Sequence, residues 1–149
     1  MAALIFSAGT ATAEEVAGRA SVIDGDTIEI GGQRIRLFGI DAPESGQFCE
    51  DKSNTKYRCG QRSALALDAM LRGQVVHCDD RGRDRYDRMI AVCRTDHGDV
   101  AEAMVLTGMA LAYRRYSTDY IWAERVARSD GLGLWQGAFD APWTWRKNE

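Results

Sequence analysis

A chain of 149 residues can bury one sizeable core and is too short for two ordinary domains. Its net charge of −3 excludes the bulk positive field on which passive nucleic-acid binders rely, so any phosphate binding has to be local. Lys52, Lys56 and Lys147 are the only lysines; the other cations are arginines, whose planar forks suit bidentate contact with phosphate.

The first residues form a short apolar run that closes on Ala11-Thr12-Ala13, the pattern of a signal-peptide cleavage site. This predicts residues 1–13 as the remnant of an export leader, one domain over residues 14–149, and a secreted or periplasmic location. No later stretch reaches the ~20 apolar residues that span a bilayer.

Residues 17–23 can be extended, Thr27-Ile28-Glu29-Ile30 alternates polar with apolar, and residues 33–38 alternate again. Gly31-Gly32 supplies the positive φ of a two-residue hairpin turn, and Asp24-Gly25 offers a second tight turn, so the opening third reads as a three-stranded meander. Over residues 60–71 the apolar positions Ala64, Leu67, Met70 and Leu71 follow helical spacing. Strand character returns at 75–79 and 88–95, joined by a charged loop. Asp99 and Glu102 form a capping box for a second helix, with Val100, Ala103 and Met104 on its apolar stripe and Gly108 at its end. A third helix is expected over 119–129, with Trp122 and Val126 one turn apart and Gly131 beyond its end. Strands first and helices after, without βαβ alternation, define an α+β chain. The aromatic tail after Leu134 is expected to pack back on the sheet.

Four cysteines without a C-x-x-C pair argue against zinc, although His77 and His97 lie near two of them; both histidines are read as ordinary surface or strand residues. Of the three possible connectivities, Cys49 with Cys59 and Cys78 with Cys93 each close a local loop, and the second pair would face across a hairpin. Reduced, buried thiols are the alternative.

Three segments carry the residues that are expensive to keep: Ile23-Asp-Gly-Asp-Thr27, a stretch from Arg34 to Glu44 that includes Arg36, Asp41, Ala42 and Pro43, and Arg85-Tyr-Asp-Arg88. Asp26 shares a strand face with Ile28 and Ile30, so an inward isoleucine face puts a carboxylate at the apolar mouth of the sheet. Such a group needs a cation, an arginine or hydrogen bonds. Asp26, Asp41 and a neighbouring backbone carbonyl make a hard oxygen site suited to calcium. Asp26→Asn is accordingly expected to weaken ion binding and, by removing an awkward buried charge, to raise thermal stability. Taken singly, Asp-Gly-Asp is an ordinary hairpin turn and Asp-Ala-Pro-Glu an ordinary loop; their conjunction with Arg36 and Arg88 is far more specific.

In that combination the chain resembles the staphylococcal nuclease (thermonuclease) family over about residues 16–135. The resemblance implies a five-stranded OB-fold β-barrel with three α-helices. It implies Ca2+ held by the carboxylates of Asp26 and Asp41 and the carbonyl of Ala42, and a catalytic trio of Arg36, Glu44 and Arg88. Asp24 corresponds to a carboxylate behind the ion ligands, Arg85 and Tyr86 lie on the substrate side, and Tyr113 matches a nucleotide-side ring for which Tyr116 competes. DNA and RNA are the implied substrates, cut with little sequence preference to 3′-phosphate products by a monomer. The acidic neighbours Asp84 and Asp87 imply modest substrate affinity, and a Cys49 to Cys59 bond is expected to tether the loop beside the site. Two rival readings are a non-catalytic OB-fold nucleic-acid-binding module, against which the intact trio argues, and a disulfide-stabilised protein-interaction domain, which leaves the clustered charges without a purpose.

Overall fold

The computed structural model describes Gly9 and residues 14–149. The expected leader, residues 1–13, lies outside the described residues apart from Gly9.

The strands are β1 (Glu15–Gly18), β2 (Ser21–Asp24), β3 (Thr27–Ile30), β4 (Gln33–Leu37), β5 (Ile40–Asp41), β6 (Cys49–Glu50), β7 (Lys56–Tyr57), β8 (Val76–Arg83), β9 (Met89–Thr95), β10 (Gly98–Asp99) and β11 (Leu111–Ala112). The helices are α1 (Cys59–Leu71), α2 (Val100–Leu106), α3 (Ile121–Ser129) and α4 (Pro142–Lys147), with a 3₁₀ turn at Gly133–Gln136. The main sheet runs β1-β8-β9-β4-β3-β2, with β10 on β9. The expected meander is β2-β3-β4, and Gly31 and Gly32, at φ of 56° and 80°, turn β3 into β4. The extended stretch expected over 17–23 is split, because its first half pairs with β8 and its second with β3.

That split bends the sheet. Laid flat, its outermost strands β1 and β2 would lie roughly 24 Å apart at ~4.8 Å per strand step. Arg19 and Ala20 alone connect them, a reach of only about 11 Å, so the sheet must curl. Gly18 on β1 accordingly meets β3 from the far end of the path: a Cβ there would stand 3.0 Å from the Ile30 side chain. Inside the curl Ile28, Ile35, Leu37, Val76, Met89, Ala91 and Leu67 of α1 form the dry core.

α2 begins on the expected cap, with Asp99 accepting from the Glu102 N–H at 3.2 Å. α3 departs from its expected stripe: Trp122 and Val126 are exposed, and the face it buries is Ala123, Glu124 and Ala127. Its packing partner α2 approaches closely, which small alanines permit. Cys78 and Cys93 are cross-strand partners on β8 and β9 and are bonded, as are Cys49 and Cys59. The tail packs back, but beside β6, β7 and β11 and not on the main sheet as expected. It seats Leu134, Trp135, Phe139 and Trp143 on a second apolar cluster around the Cys49–Cys59 bond and adds α4 to the three expected helices. Pro142 at the first helical position, where its missing N–H costs nothing, starts that helix. No helix among the described residues is long and apolar enough to cross a membrane.

Candidate active site

Two turns far apart in sequence meet because Gly25 lets them. A Cβ on Gly25 would stand 2.7 Å from that of Ser63 and 2.8 Å from that of Ala42, closer than real side chains approach. The β2–β3 turn is thus pressed against the segment after β5, and a backbone bond from the Leu37 N–H to the Asp26 carbonyl at 2.9 Å ties it to β4. Asp41 is positioned by the short β5–β11 ladder, in register with Leu111.

Arg36, on the outward parity of β4, bridges the two acids. Its Nη1 lies 2.6 Å from Asp26 Oδ2, and its Nη2 lies 3.3 Å from both Asp41 Oδ1 and the Ile40 carbonyl. Asp26 also accepts the Ala42 N–H at 2.8 Å and the Thr27 hydroxyl at 3.1 Å. Burial by itself would push the Asp26 carboxyl up, but Arg36, Asp24 and the Ala42 N–H together hold it below the ordinary carboxylate range. Asp41 goes the other way: burial and repulsion from Asp26 outweigh its guanidinium partners, so its carboxyl is raised. Burial first, and then the Asp26 charge, lift Asp24 to about 7. Asp24 also accepts the Asp26 N–H at 3.2 Å.

Glu44 follows Pro43 in a loop fixed from two directions. Gln47, fully buried, accepts the Glu44 N–H on Oε1 at 3.2 Å and gives its own N–H to the Glu44 carbonyl at 2.8 Å. From below, α1 presses so close at Gly60 that a Cβ there would overlap the Glu44 carbonyl oxygen. The Glu44 carboxylate is half-buried and meets Arg146 of α4, with Nη1 at 2.7 Å from Oε1. Arg146 also takes both oxygens of Asp41, at 3.0 and 2.7 Å.

Arg88 precedes β9, whose parallel register sets Ile90 beside Arg36, so Arg88 and Arg36 share a parity on neighbouring strands. Its Nε lies 2.7 Å from Asp84 within its own loop, and its guanidinium lies over Tyr86. Arg88 is paired with Asp84, not with Asp26 or Asp41. Tyr86 is exposed and Arg85 also rests over it. Tyr113 and its competitor Tyr116 line one cavity of about 270 Å³ together with Arg36, Ile40, Arg81 and Asp84. Trp143 stacks on Tyr113 at 5.4 Å between ring centroids.

Among the described residues no group of three or more His, Cys, Asp or Glu side chains is placed to hold a metal ion. The expected ligand set holds two carboxylates and one carbonyl, and its chemistry still fits a hard cation: oxygen donors alone, and two buried acids close enough to share one guanidinium. Sequence reasoning missed Arg146 and Gln47. Neither sits in a recognisable motif, and only the return of the tail brings them to the site.

A profile described as Staphylococcal nuclease homologue matches residues 34–137. The chain belongs to the staphylococcal nuclease family. Membership places it among enzymes that hydrolyse phosphodiester bonds. It is 43% identical over 142 residues to the succinoglycan biosynthesis protein ExoI of Rhizobium meliloti (strain 1021), covering 91% of this chain and 73% of that protein. It is 34% identical over 136 residues to an uncharacterized endonuclease of Haemophilus influenzae, covering 86% of this chain and 71% of that one. With the micrococcal nuclease of Shigella flexneri it shares 34% identity over 145 residues, 85% of this chain and 77% of the relative. The family profile spans Arg36, Asp41, Glu44 and Arg88 but begins after Asp24 and Asp26, which the β2–β3 turn delivers to the same place.

Proposed function

We propose that this chain is a calcium-dependent endonuclease of an oxidising compartment, hydrolysing DNA and RNA as a monomer from a five-stranded OB-type barrel. The observation that carries this reading is Arg36 bridging Asp26 and Asp41, which assembles oxygen donors and a phosphate-type donor in one place. The two disulfides suit secretion or the periplasm.

A phosphodiester resists hydrolysis because the attacking water meets an anion, so the site has to neutralise charge and aim the nucleophile. Calcium bound by Asp26, Asp41 and the Ala42 carbonyl would supply positive charge beside a phosphoryl oxygen. Arg36 and Arg88 donate paired N–H groups to the phosphoryl oxygens and hold the charge that grows in the transition state, Arg88 exchanging Asp84 for phosphate. Glu44, held by Gln47 and Gly60, orients the attacking water and accepts its proton. The leaving O5′, which becomes the 5′-hydroxyl of the downstream fragment while the phosphate stays on the 3′ oxygen, takes its proton from water, because an arginine is too weak an acid. Tyr86 and Tyr113 or Tyr116 offer ring faces to bases, and Arg85 a charge to the backbone, which reads stacking and phosphate instead of sequence.

Digestion of single-stranded DNA with calcium, and with EDTA as the control, tests the proposal together with two variants. Calcium-switched cleavage is expected, with Glu44→Gln and Arg88→Ala each losing at least a hundredfold in kcat with the fold intact. Equal digestion in EDTA refutes the ion, and full activity in either variant refutes that residue's role. A pure binding module, the rival reading, would retain DNA without cutting it.

A further inference from the structure

The acids expected to hold an ion are already neutralised by the protein itself. Asp41 Oδ1 accepts from Arg36 at 3.3 Å and Arg146 at 3.0 Å, and Oδ2 accepts from Arg146 at 2.7 Å. Only 1% of the Asp41 side chain is exposed. An ion at Asp41 would therefore enter the space of a guanidinium and face its charge directly. The same Arg146 reaches Glu44, and three residues earlier on α4 Trp143 covers the ring of Tyr113.

This six-residue helix is held at the site by two side chains, Trp143 and Arg146. Pro142 is its one buried residue, and Arg146 keeps more than a third of its side chain in solvent. The chain just before it is anchored firmly, because buried Gln47 donates to the Asp140 carbonyl at 2.7 Å and the Ala138 carbonyl accepts the Glu50 N–H at 2.8 Å. Asp140 and Ala141 thus form a natural pivot between a fixed tail and a detachable helix.

We infer that Arg146 is a built-in cation that competes with the divalent ion for Asp41, so that ion binding requires α4 to swing off Asp41, Glu44 and Tyr113. The inference rests on the ion-site reading above. Release of α4 would uncover ion ligand, water-orienting carboxylate and base-stacking ring in one motion, making the ion the trigger that opens the site as well as an occupant of it.

Calorimetric titration of purified wild type, Arg146→Gln, Arg146→Lys and Lys147→Gln with calcium chloride tests this. Arg146→Gln is expected to bind calcium at least tenfold more tightly than wild type, Arg146→Lys to fall between, and Lys147→Gln to match wild type. In wild type, amide hydrogen exchange at Thr144 and Trp145, whose N–H groups bond the Ala141 carbonyl at 2.9 Å, should accelerate on saturation with calcium. Unchanged or weaker affinity in Arg146→Gln, or unchanged exchange in wild type, overturns the competition. Absence of calcium binding in all four proteins overturns the ion site itself, and the competition with it.

Discussion

Asp26→Asn separates the structure's account of the site from the one that the sequence alone suggests. An unpaired carboxylate at an apolar mouth should be a liability, and its removal should stabilise. The carboxylate is instead paired with Arg36 at 2.6 Å and bonded to the Ala42 N–H at 2.8 Å, with side-chain exposures of 17% for Arg36 and 10% for Asp26. Breaking a buried ion pair from one side leaves the other charge stranded, typically at about 3–5 kcal/mol. Asparagine preserves one acceptor oxygen and Asp41 still serves Arg36, so the net cost falls to roughly 2 kcal/mol. For a chain of this size that lowers Tm by about 4–8 °C. Thermal unfolding at pH 7 in EDTA, followed by circular dichroism, measures it without ion binding in play. A double-mutant cycle with Arg36→Gln should give a coupling of about 1–2 kcal/mol. A Tm equal to or above wild type, or a coupling near zero, would refute the view that this pair holds the two turns together.

Gly60→Ala should lower Tm, because backbone has to yield to backbone at Glu44, at a cost of about 1–3 kcal/mol. It should also cut kcat by on the order of 10²-fold through misplacement of Glu44, and retained kcat would show that the loop is not held by this contact. Asp24 predicts a pH dependence: burial and the Asp26 charge raise its folded-state value to about 7, above that of an ordinary carboxyl, so the protonated form favours the fold and stability is lost as pH rises from the ordinary carboxyl range to about 7. In EDTA, Asp24→Asn should therefore raise Tm at pH 8 and leave it unchanged at pH 4; the same shift at both values contradicts the assignment.

Much of the site was legible because its signals are local. Parity along β3 put Asp26 with Ile28 and Ile30, and all three are buried. The capping box at Asp99 and the glycine pair at 31 and 32 encode backbone geometry within a few residues, and each produced the expected cap or turn. Where packing decides, sequence was weaker. Trp122 and Val126 keep helical spacing yet face solvent, because α3 turns Ala123 and Ala127 toward α2. Gln47 sits in no motif, and its side chain donates to the Asp140 carbonyl 93 residues later, a contact only the folded tail can supply.

The charge arrangement explains how an acidic chain can act on a polyanion. Arg36 is matched by Asp26 and Asp41, Arg88 by Asp84, and Arg146 by Asp41 and Glu44. Burial works against Asp84, but hydrogen bonds from the Arg88 backbone and guanidinium and from the Tyr86 N–H hold its carboxyl below the usual range, so the Arg88 pair persists at neutral pH. On the proposed mechanism Arg36 and Arg88 are pre-aimed by carboxylates that an incoming phosphate would replace, oxygen for oxygen, with the fork geometry kept. Preorganisation of this kind lowers the cost of orienting donors in the transition state, while exchange against an internal carboxylate lowers ground-state affinity for nucleic acid. With only Arg36, Arg88 and Arg85 proposed to meet phosphate, binding should depend on salt far less steeply than in a protein that tracks the backbone with a basic surface. Tight, non-productive retention of nucleic acid is what such an arrangement avoids, and a catalyst that must release its product gains from that.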